Sequence, residues 1–225
     1  MSGRPKRLVP GLWRWTARHP EWHPGEFGAE VASFAVRTGD ELLLVDPQLP
    51  PEPEPVHELI EKQLGARLSI FITIPYHVRS SQELRDRYRG DAEVTIWGHP
   101  AATKRLRTRS VFREIEPGQP LPAGVAAFAI GKPRRQEMPL LLPAHRALVF
   151  GDAVAETGGR LRVWSDRRVD EKVERFYRER FNPTLKPLLE LDFDRVLVTH
   201  GQPVMKDGRR ALASALRSKA WYNRA

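Results

Sequence analysis

Short apolar runs separated by polar turns dominate the chain, a pattern typical of α/β proteins. Residues 68–74 (LSIFITI) carry no charged side chain and are rich in β-branched residues, so they predict a strand that is buried on both faces. A polar turn follows at residues 75–79, and Ser80 or Ser81 then begins a helix. Because loops at the carboxyl ends of buried strands often carry ligands and catalytic groups, this turn is the first candidate for a functional site.

A β-hairpin is predicted in the first quarter of the chain. Segments 32–37 and 41–46 are apolar strands, and Gly39 between them can adopt the positive φ that a tight hairpin turn needs. Before this hairpin, the alternating stretch GLWRWTA (11–17) predicts an edge strand.

The same patterns predict the remaining elements. Further strands are expected at 93–97, 124–130, 138–142, 146–150 and 195–199. The apolar strands 68–74 and 195–199 are expected at the centres of two different sheets. Helices are expected at 56–64, 99–106, 171–181, 184–191 and 207–218. Asp152 and His200 each come directly after one of these strands or one residue beyond it, so both belong to strand-end loops.

Composition narrows the class of protein. The chain has 225 residues, of which 40% are hydrophobic, so we expect a single domain over residues 1–225. It has no cysteine, which excludes disulfides, thiolate metal ligands and a cysteine nucleophile. Any metal would have to be held by His, Asp or Glu. The sequence shows neither a membrane-length apolar run nor the apolar core of a signal peptide, so we expect a cytoplasmic protein without a membrane partner.

The charge balance bears on partners. Lys and Arg number 37 against 28 Asp and Glu, which gives a net charge of +9. Polyanions are therefore expected to adhere at low salt. Most arginines alternate with acids, as in DEKVERFYRERF, which favours a solvated surface, and no nucleic-acid-binding motif is present. We expect no sequence-specific nucleic-acid partner.

Three phrases carry a family resemblance when they are taken in order: LLLVDPQLP with Asp46, ALVFGDAV with Asp152, and VLVTHGQPV with His200. Together with the strand, turn and helix at 68–88, they resemble the metallo-β-lactamase superfamily. The resemblance implies an α+β fold, an αββα sandwich in which two mixed β-sheets pack face to face with helices on the outer faces. It also implies an active site at one edge, between the two halves.

The metal motif of that family is changed at every ligand position. The family has H-x-H-x-D-H directly after a strand, and here the matching run is IPYHVR. The resemblance places Ile74 and Tyr76 where two histidines would bind the first metal. It places Val78 and Arg79 where an aspartate and a histidine would bind the second.

Two further positions of the family's site retain ligand residues. The resemblance places Asp152 at the metal-bridging aspartate and His200 at the last histidine, while Lys132 replaces a later histidine. A catalytic zinc needs three protein ligands and an open position for water. His77 would be a third ligand only if the turn reorganised, because in the family its position points away from the site. Arg79 is expected instead to pair with Asp152 and to repel a metal ion.

Plainer structural roles remain open for the same residues. Asp46 orients the turn in the family, which is a scaffold role. Asp152 would then cap its loop, His77 would hydrogen-bond the turn, and Tyr76 would belong to the core. His200 would be a strand-end residue without a functional role.

Three functions of different classes follow. The preferred one is a fold relative with a degenerate metal site, which binds a small or anionic ligand without hydrolysis and needs no cofactor. Its expected ligand-binding residues are Tyr76, His77, Arg79, Lys132, Asp152 and His200. The alternative is an active hydrolase with a single metal, or none, in which the catalytic candidates are His77, Asp152 and His200 and the same three would hold any zinc. A nucleic-acid-associated protein is the third. The ligand and the oligomeric state stay open.

Overall fold

The structure is a computed structural model that describes residues 3–19, 21–23, 28–107 and 110–222. Its strands are β1 (Lys6–Val9), β2 (Leu12–Arg18), β3 (Glu30–Thr38), β4 (Glu41–Val45), β5 (Arg67–Ile72), β6 (Glu93–Gly98), β7 (Phe112–Glu114), β8 (Ala126–Ala127), β9 (Leu140–Leu142), β10 (Ala147–Phe150), β11 (Val154–Thr157), β12 (Arg160–Val163) and β13 (Arg195–Val198). Its α-helices are α1 (Glu54–Gln63), α2 (Ser81–Tyr88), α3 (Glu171–Phe176), α4 (Asn182–Leu185) and α5 (Gly208–Arg217). A π-helical turn, Tyr177–Phe181, joins α3 to α4.

The strands form two mixed sheets and a hairpin. The first sheet has seven strands in the order β1 to β7, antiparallel as far as β4 and parallel from β4 to β7. The second has four strands in the order β13-β10-β9-β8, with β10 and β13 parallel. Strands β11 and β12 pair separately.

Three hydrophobic clusters show that the molecule has four layers. The side chains of β4 alternate, so that Leu42 and Leu44 face α1 and α2 while Leu43 faces the second sheet. Phe71 and Val149 belong to the cluster between the sheets. A third cluster packs α4 and α5 on the outer face of the second sheet. The expected αββα sandwich is confirmed.

Several local predictions hold and others need correction. The predicted hairpin exists as β3 and β4, paired from Phe34↔Val45 to Thr38↔Glu41. The GLWRWTA strand is internal, because β1, which the pattern did not reveal, takes the edge position. The strand predicted at 124–130 shortens to β8, since the following residues leave the sheet in a long turn toward the site. No helix within the described residues is both long and apolar enough to cross a membrane.

Candidate functional site

Four strand-end loops meet at one edge of the sandwich. Asp46 follows β4, His77 lies in the turn after β5, Asp152 follows β10, and His200 follows β13. Nε2 of His77 lies 3.4 Å from Oδ1 of Asp152, and Nε2 of His200 lies 3.6 Å from the same oxygen. Parallel strands bring their carboxyl ends to one edge, which is why residues so distant in sequence converge here. Asp152 and His200 therefore lie together, as predicted.

His77 occupies the middle of this cluster. Its side chain is buried, its Nδ1 lies 2.9 Å from Oδ2 of Asp46, and its Nε2 faces Asp152. The expectation that His77 points away from the site is wrong. The 3₁₀ turn Pro75–Val78, closed by a hydrogen bond from the N–H of His77 to the carbonyl of Ile74, turns the ring inward.

Asp46 anchors the turn that carries His77. Its carboxylate accepts hydrogen bonds from the N–H of Thr73 at 2.8 Å and from the Thr73 hydroxyl, besides its contact with His77. The Ser33 hydroxyl donates to the Asp46 carbonyl at 2.8 Å. Asp46 thus has the scaffold role that the sequence indicated, and it also supplies charge to the buried imidazole.

Arg79 does not pair with Asp152 as expected. Its guanidinium donates to the carbonyl oxygen of Asp46 at 2.9 Å and, more weakly, to that of Ala32 at 3.4 Å. Arg79 has a positive φ of 40°, and this backbone conformation ends the turn and sends the side chain along β3 and β4. Arg79 therefore ties two strands together while adding positive charge beside His77.

Arg134, not Lys132, brings the second positive charge to Asp152. Lys132 is exposed, whereas Nη1 of Arg134 lies 3.7 Å from Oδ2 of Asp152. The Arg134 guanidinium lies 5.0 Å from the ring centroid of Trp164. The Trp164 and His200 rings are in a T-shaped arrangement, with their centroids 5.3 Å apart. The turn GKPRRQE offers three cations, and its sequence pattern does not tell which of them faces inward.

Glu137 is a site residue that sequence reasoning missed. It is fully buried, and its carboxylate accepts the backbone N–H of Gly151 at 2.9 Å, of Asp152 at 3.0 Å and of Ala153 at 2.7 Å. These three bonds fix the loop that presents Asp152. The only sequence signal is a lone acid directly before the apolar run MPLLL.

The remaining predicted residue, Tyr76, lies on the surface rather than in the core. It is 57% exposed, and its ring packs against the Arg105 guanidinium at 4.4 Å. The structure therefore brings together His77, Arg79, Asp152 and His200, and it leaves Tyr76 and Lys132 facing solvent.

Burial and neighbouring charges shift the pKa values of His77 and His200 in opposite directions. Burial and Arg79 lower the pKa of His77, but Asp46 and Asp152 outweigh them and raise it above the usual value. Burial lowers the pKa of His200, and Asp152 offsets this only in part. Burial alone would raise the pKa of Asp152, yet His77, His200 and Arg134 hold it well below its usual range. These shifts favour the charged form of His77, the ionised form of Asp152 and the neutral form of His200.

The same buried surroundings raise the pKa of Glu137, whereas they lower that of Asp152. Burial and the nearby Asp152 raise the pKa of Glu137 to about 7, against the opposing effects of Arg134 and of the N–H donated by Asp152. This carboxyl group therefore titrates near neutral pH inside the core.

Asp152 and His200 are slightly exposed to solvent. The exposed side-chain fractions are 13% for Asp152 and 10% for His200. The large surface cavities, of about 670 Å³ beside Pro50 and about 530 Å³ along α5, lie elsewhere. Asp152 and His200 are therefore members of the cluster that a small molecule from solvent can reach.

The residues present do not fit the dinuclear metal centre that the resemblance implies. Ile74 and Val78 are buried without a donor atom, and guanidinium groups of Arg79 and Arg134 border the cluster. Both ring nitrogens of His77 face carboxylates. Within the part of the chain that the structure describes, no group of three or more His, Asp or Glu side chains is arranged to hold a metal ion.

Close packing at Gly151 leads to a stability prediction. A Cβ on Gly151 would lie 2.7 Å from the Thr73 hydroxyl oxygen, which cannot withdraw because it donates to Asp46. Gly151→Ala is therefore expected to lower the free energy of unfolding by about 1–3 kcal/mol, the usual cost of overpacking. Denaturant unfolding measures this. The control is Gly90→Ala, where a Cβ meets nothing within 4 Å, and equal effects at the two positions would contradict the packing argument.

The chain was compared with known proteins. No family model matches the sequence, and no curated protein matches it. Solved structures do match across nearly the whole chain. A metallo-β-lactamase from Pontibacter korlensis superposes with a TM-score of 0.66 at 16% identity, covering 96% of this chain and 99% of its own.

Two other solved structures give the same result. The metallo-β-lactamase FIM-1 from Pseudomonas aeruginosa, in a mono-zinc form, has a TM-score of 0.64 at 12% identity and covers 96% of this chain and 95% of its own. The chemotaxis sensor ODP, in a peroxy diiron form, has a TM-score of 0.62 at 14% identity and covers 97% and 96%. Likeness at this level of identity establishes a shared fold.

Proposed function

We propose that this chain, which has the metallo-β-lactamase fold, works without a metal ion and binds a small anionic ligand instead of hydrolysing a substrate. The observation that carries the proposal is the position of His77, between Asp46 and Asp152 at the edge where the fold's site lies. A cationic imidazole that is held by two carboxylates occupies the space that a metal ion would need. It also supplies the positive charge that the metal ion would bring.

The charges around the cluster support an anionic ligand. Asp46, Asp152 and Glu137, whose pKa of about 7 leaves it partly protonated at neutral pH, lie near three cationic groups, on His77, Arg79 and Arg134. Among the described residues, Nε and Nη2 of both arginines are buried without a hydrogen-bond partner. Buried donors are costly when they are unpaired. A small carboxylate or phosphoryl group would accept hydrogen bonds from these nitrogen atoms. The planar guanidinium group of arginine suits the geometry of such anions.

The structural neighbours support a broad range of roles for this fold. ODP is named as a chemotaxis sensor, whereas FIM-1 is named as a metallo-β-lactamase. A binding or sensing role is therefore compatible with the architecture, and the function must be argued from the residues of the site.

The metal part of the proposal has a direct test. Protein purified without added metal, then dialysed against equimolar zinc, is expected to retain far less than one zinc per chain by elemental analysis. Chelator treatment should leave its thermal unfolding unchanged, since no metal-binding free energy is lost. One zinc per chain that disappears in the His77→Ala variant would contradict the proposal and favour a single-metal hydrolase.

One observation favours a metal-free hydrolase as the second candidate. His200 is held neutral by burial, and its Nε2 lies 3.6 Å from the ionised Asp152. A neutral imidazole beside a carboxylate can accept a proton from water, which is the task of a general base. Turnover of simple esters that survives chelation and is lost in His200→Ala would establish this second candidate. Absence of ester turnover in both the wild-type protein and His200→Ala would support the binding role.

A further inference from the structure

A second charged feature lies outside the site cluster, in a groove of about 530 Å³ between β12 and α5. Five cationic side chains line it, against one acid, Asp207: Arg160, Arg162, Lys206, Arg210 and Arg217. None of these residues belongs to the cluster around Asp152. The volume is in the range of ligand-binding pockets.

Most cations of this groove have no ion pair within the described residues. Some arginines outside the groove do pair with acids, as Arg87 does with Glu61 at 3.0 Å. Here only Arg210 has an ion pair within the described residues, with Asp207 at 3.0 Å. The other four have no carboxylate within 4.0 Å among those residues, and Nε of Arg162 is buried without a hydrogen-bond partner. Five cations around one groove, with a single acid, therefore give it a local excess of positive charge.

The shape of the groove points to an elongated ligand. The lining residues on α5 and at its two caps recur at helical spacing and form one face along its whole length: Asp207, Arg210, Ala211, Ser214, Arg217 and Ser218. A helix of 10 residues is about 15 Å long. Arg160 and Arg162 face it from β12. Cations therefore follow both walls of the groove instead of meeting at one point.

The described part of the groove also lacks the aromatic side chains on which unpaired bases stack. Its lining contains no aromatic side chain within the described residues. Proteins that bind single-stranded nucleic acid through its bases stack them on aromatic rings. The cations of the groove are therefore suited to the phosphoryl groups of a ligand rather than to stacking on its bases.

We infer that this groove binds consecutive phosphoryl groups of an elongated polyanion, without stacking on any base. The phosphoryl groups come either from a nucleic-acid backbone or from an inorganic polyphosphate, because the two share the same charged chemistry. This binding surface is independent of the function proposed for the cluster around His77.

Binding of two probes tests the inference, namely inorganic tripolyphosphate and a short oligothymidylate. The variant that combines Arg160→Ser, Lys206→Ser and Arg217→Ser removes three exposed groove cations. Its affinity for the probe that binds wild type is expected to fall by about tenfold or more at low salt, with a shallower dependence of affinity on salt. The probe that binds more tightly identifies the source of the phosphoryl groups.

A matched variant separates the groove from general surface charge. Arg89→Ser, Arg113→Ser and Lys172→Ser together remove the same charge from exposed positions outside the groove. This control is expected to change affinity by less than about threefold, since only diffuse attraction is lost. Equal losses in the two triple variants, or no binding of either probe to wild type, would overturn the inference.

Discussion

Replacing Glu137 by alanine is expected to destabilise the protein by about 3 kcal/mol or more, because each buried N–H left without an acceptor costs about 1–3 kcal/mol. The Glu137 carboxylate accepts three backbone N–H groups, those of Gly151, Asp152 and Ala153. The whole side chain is shielded from solvent, so water cannot replace it without entering the core. Denaturant unfolding near pH 7 measures the loss.

Two further variants show whether the hydrogen bonds are the cause. Glu137→Gln keeps one carbonyl oxygen, which can hold the bonds from Asp152 and Ala153, and places an amide donor against the N–H of Gly151. We expect an intermediate loss. Glu116→Ala, at an exposed glutamate, should change stability by no more than about 0.5 kcal/mol. A Glu137→Ala protein as stable as the Glu116→Ala protein would refute the role of Glu137.

The sequence was sufficient to predict the layers of the fold and the convergence of its strand ends. Strand β5 reads as buried on both faces because both faces are covered, one by α1 and α2 and the other by the second sheet. The order of the three sequence phrases that end in strand-end loops carried the family resemblance, and that resemblance placed Asp152 and His200 in one site. Strand β13 was expected at the centre of its sheet, but it lies at the end. Its apolar residues are buried by α5 and by the first sheet, not by a further strand.

What could not be predicted are the directions of side chains in turns. The inward position of His77 depends on the 3₁₀ turn before Arg79 and on the acceptor that Asp46 provides. The choice of Arg134 over Lys132 depends on the path of a turn that packs against other parts of the chain. Such paths are decided by tertiary contacts, which local pattern does not contain.

Asp46→Asn is expected to reduce stability by about 3 kcal/mol near pH 6, since removing one partner of a buried ion pair leaves the other charge uncompensated. Asp46 and His77 are both almost fully buried and 2.9 Å apart. The asparagine keeps an oxygen that can accept the hydrogen bond from the N–H of Thr73. The variant therefore removes the negative charge beside His77 while the conformation of the turn is kept.

The pH dependence of that loss identifies the charge of His77 as its cause. The folded protein holds the His77 proton more tightly than the unfolded chain, because Asp46 and Asp152 raise its pKa. The resulting stabilisation is fully present below about pH 6.5 and is lost as pH rises through the folded-state pKa. The difference between wild type and Asp46→Asn should therefore be largest near pH 6 and should narrow toward pH 9. Asp91→Asn, at an exposed aspartate, should show neither effect. A difference that stays constant between pH 6 and pH 9 would mean that His77 is neutral between its two carboxylates, and the replacement of a metal by a cationic side chain would then lose its physical basis.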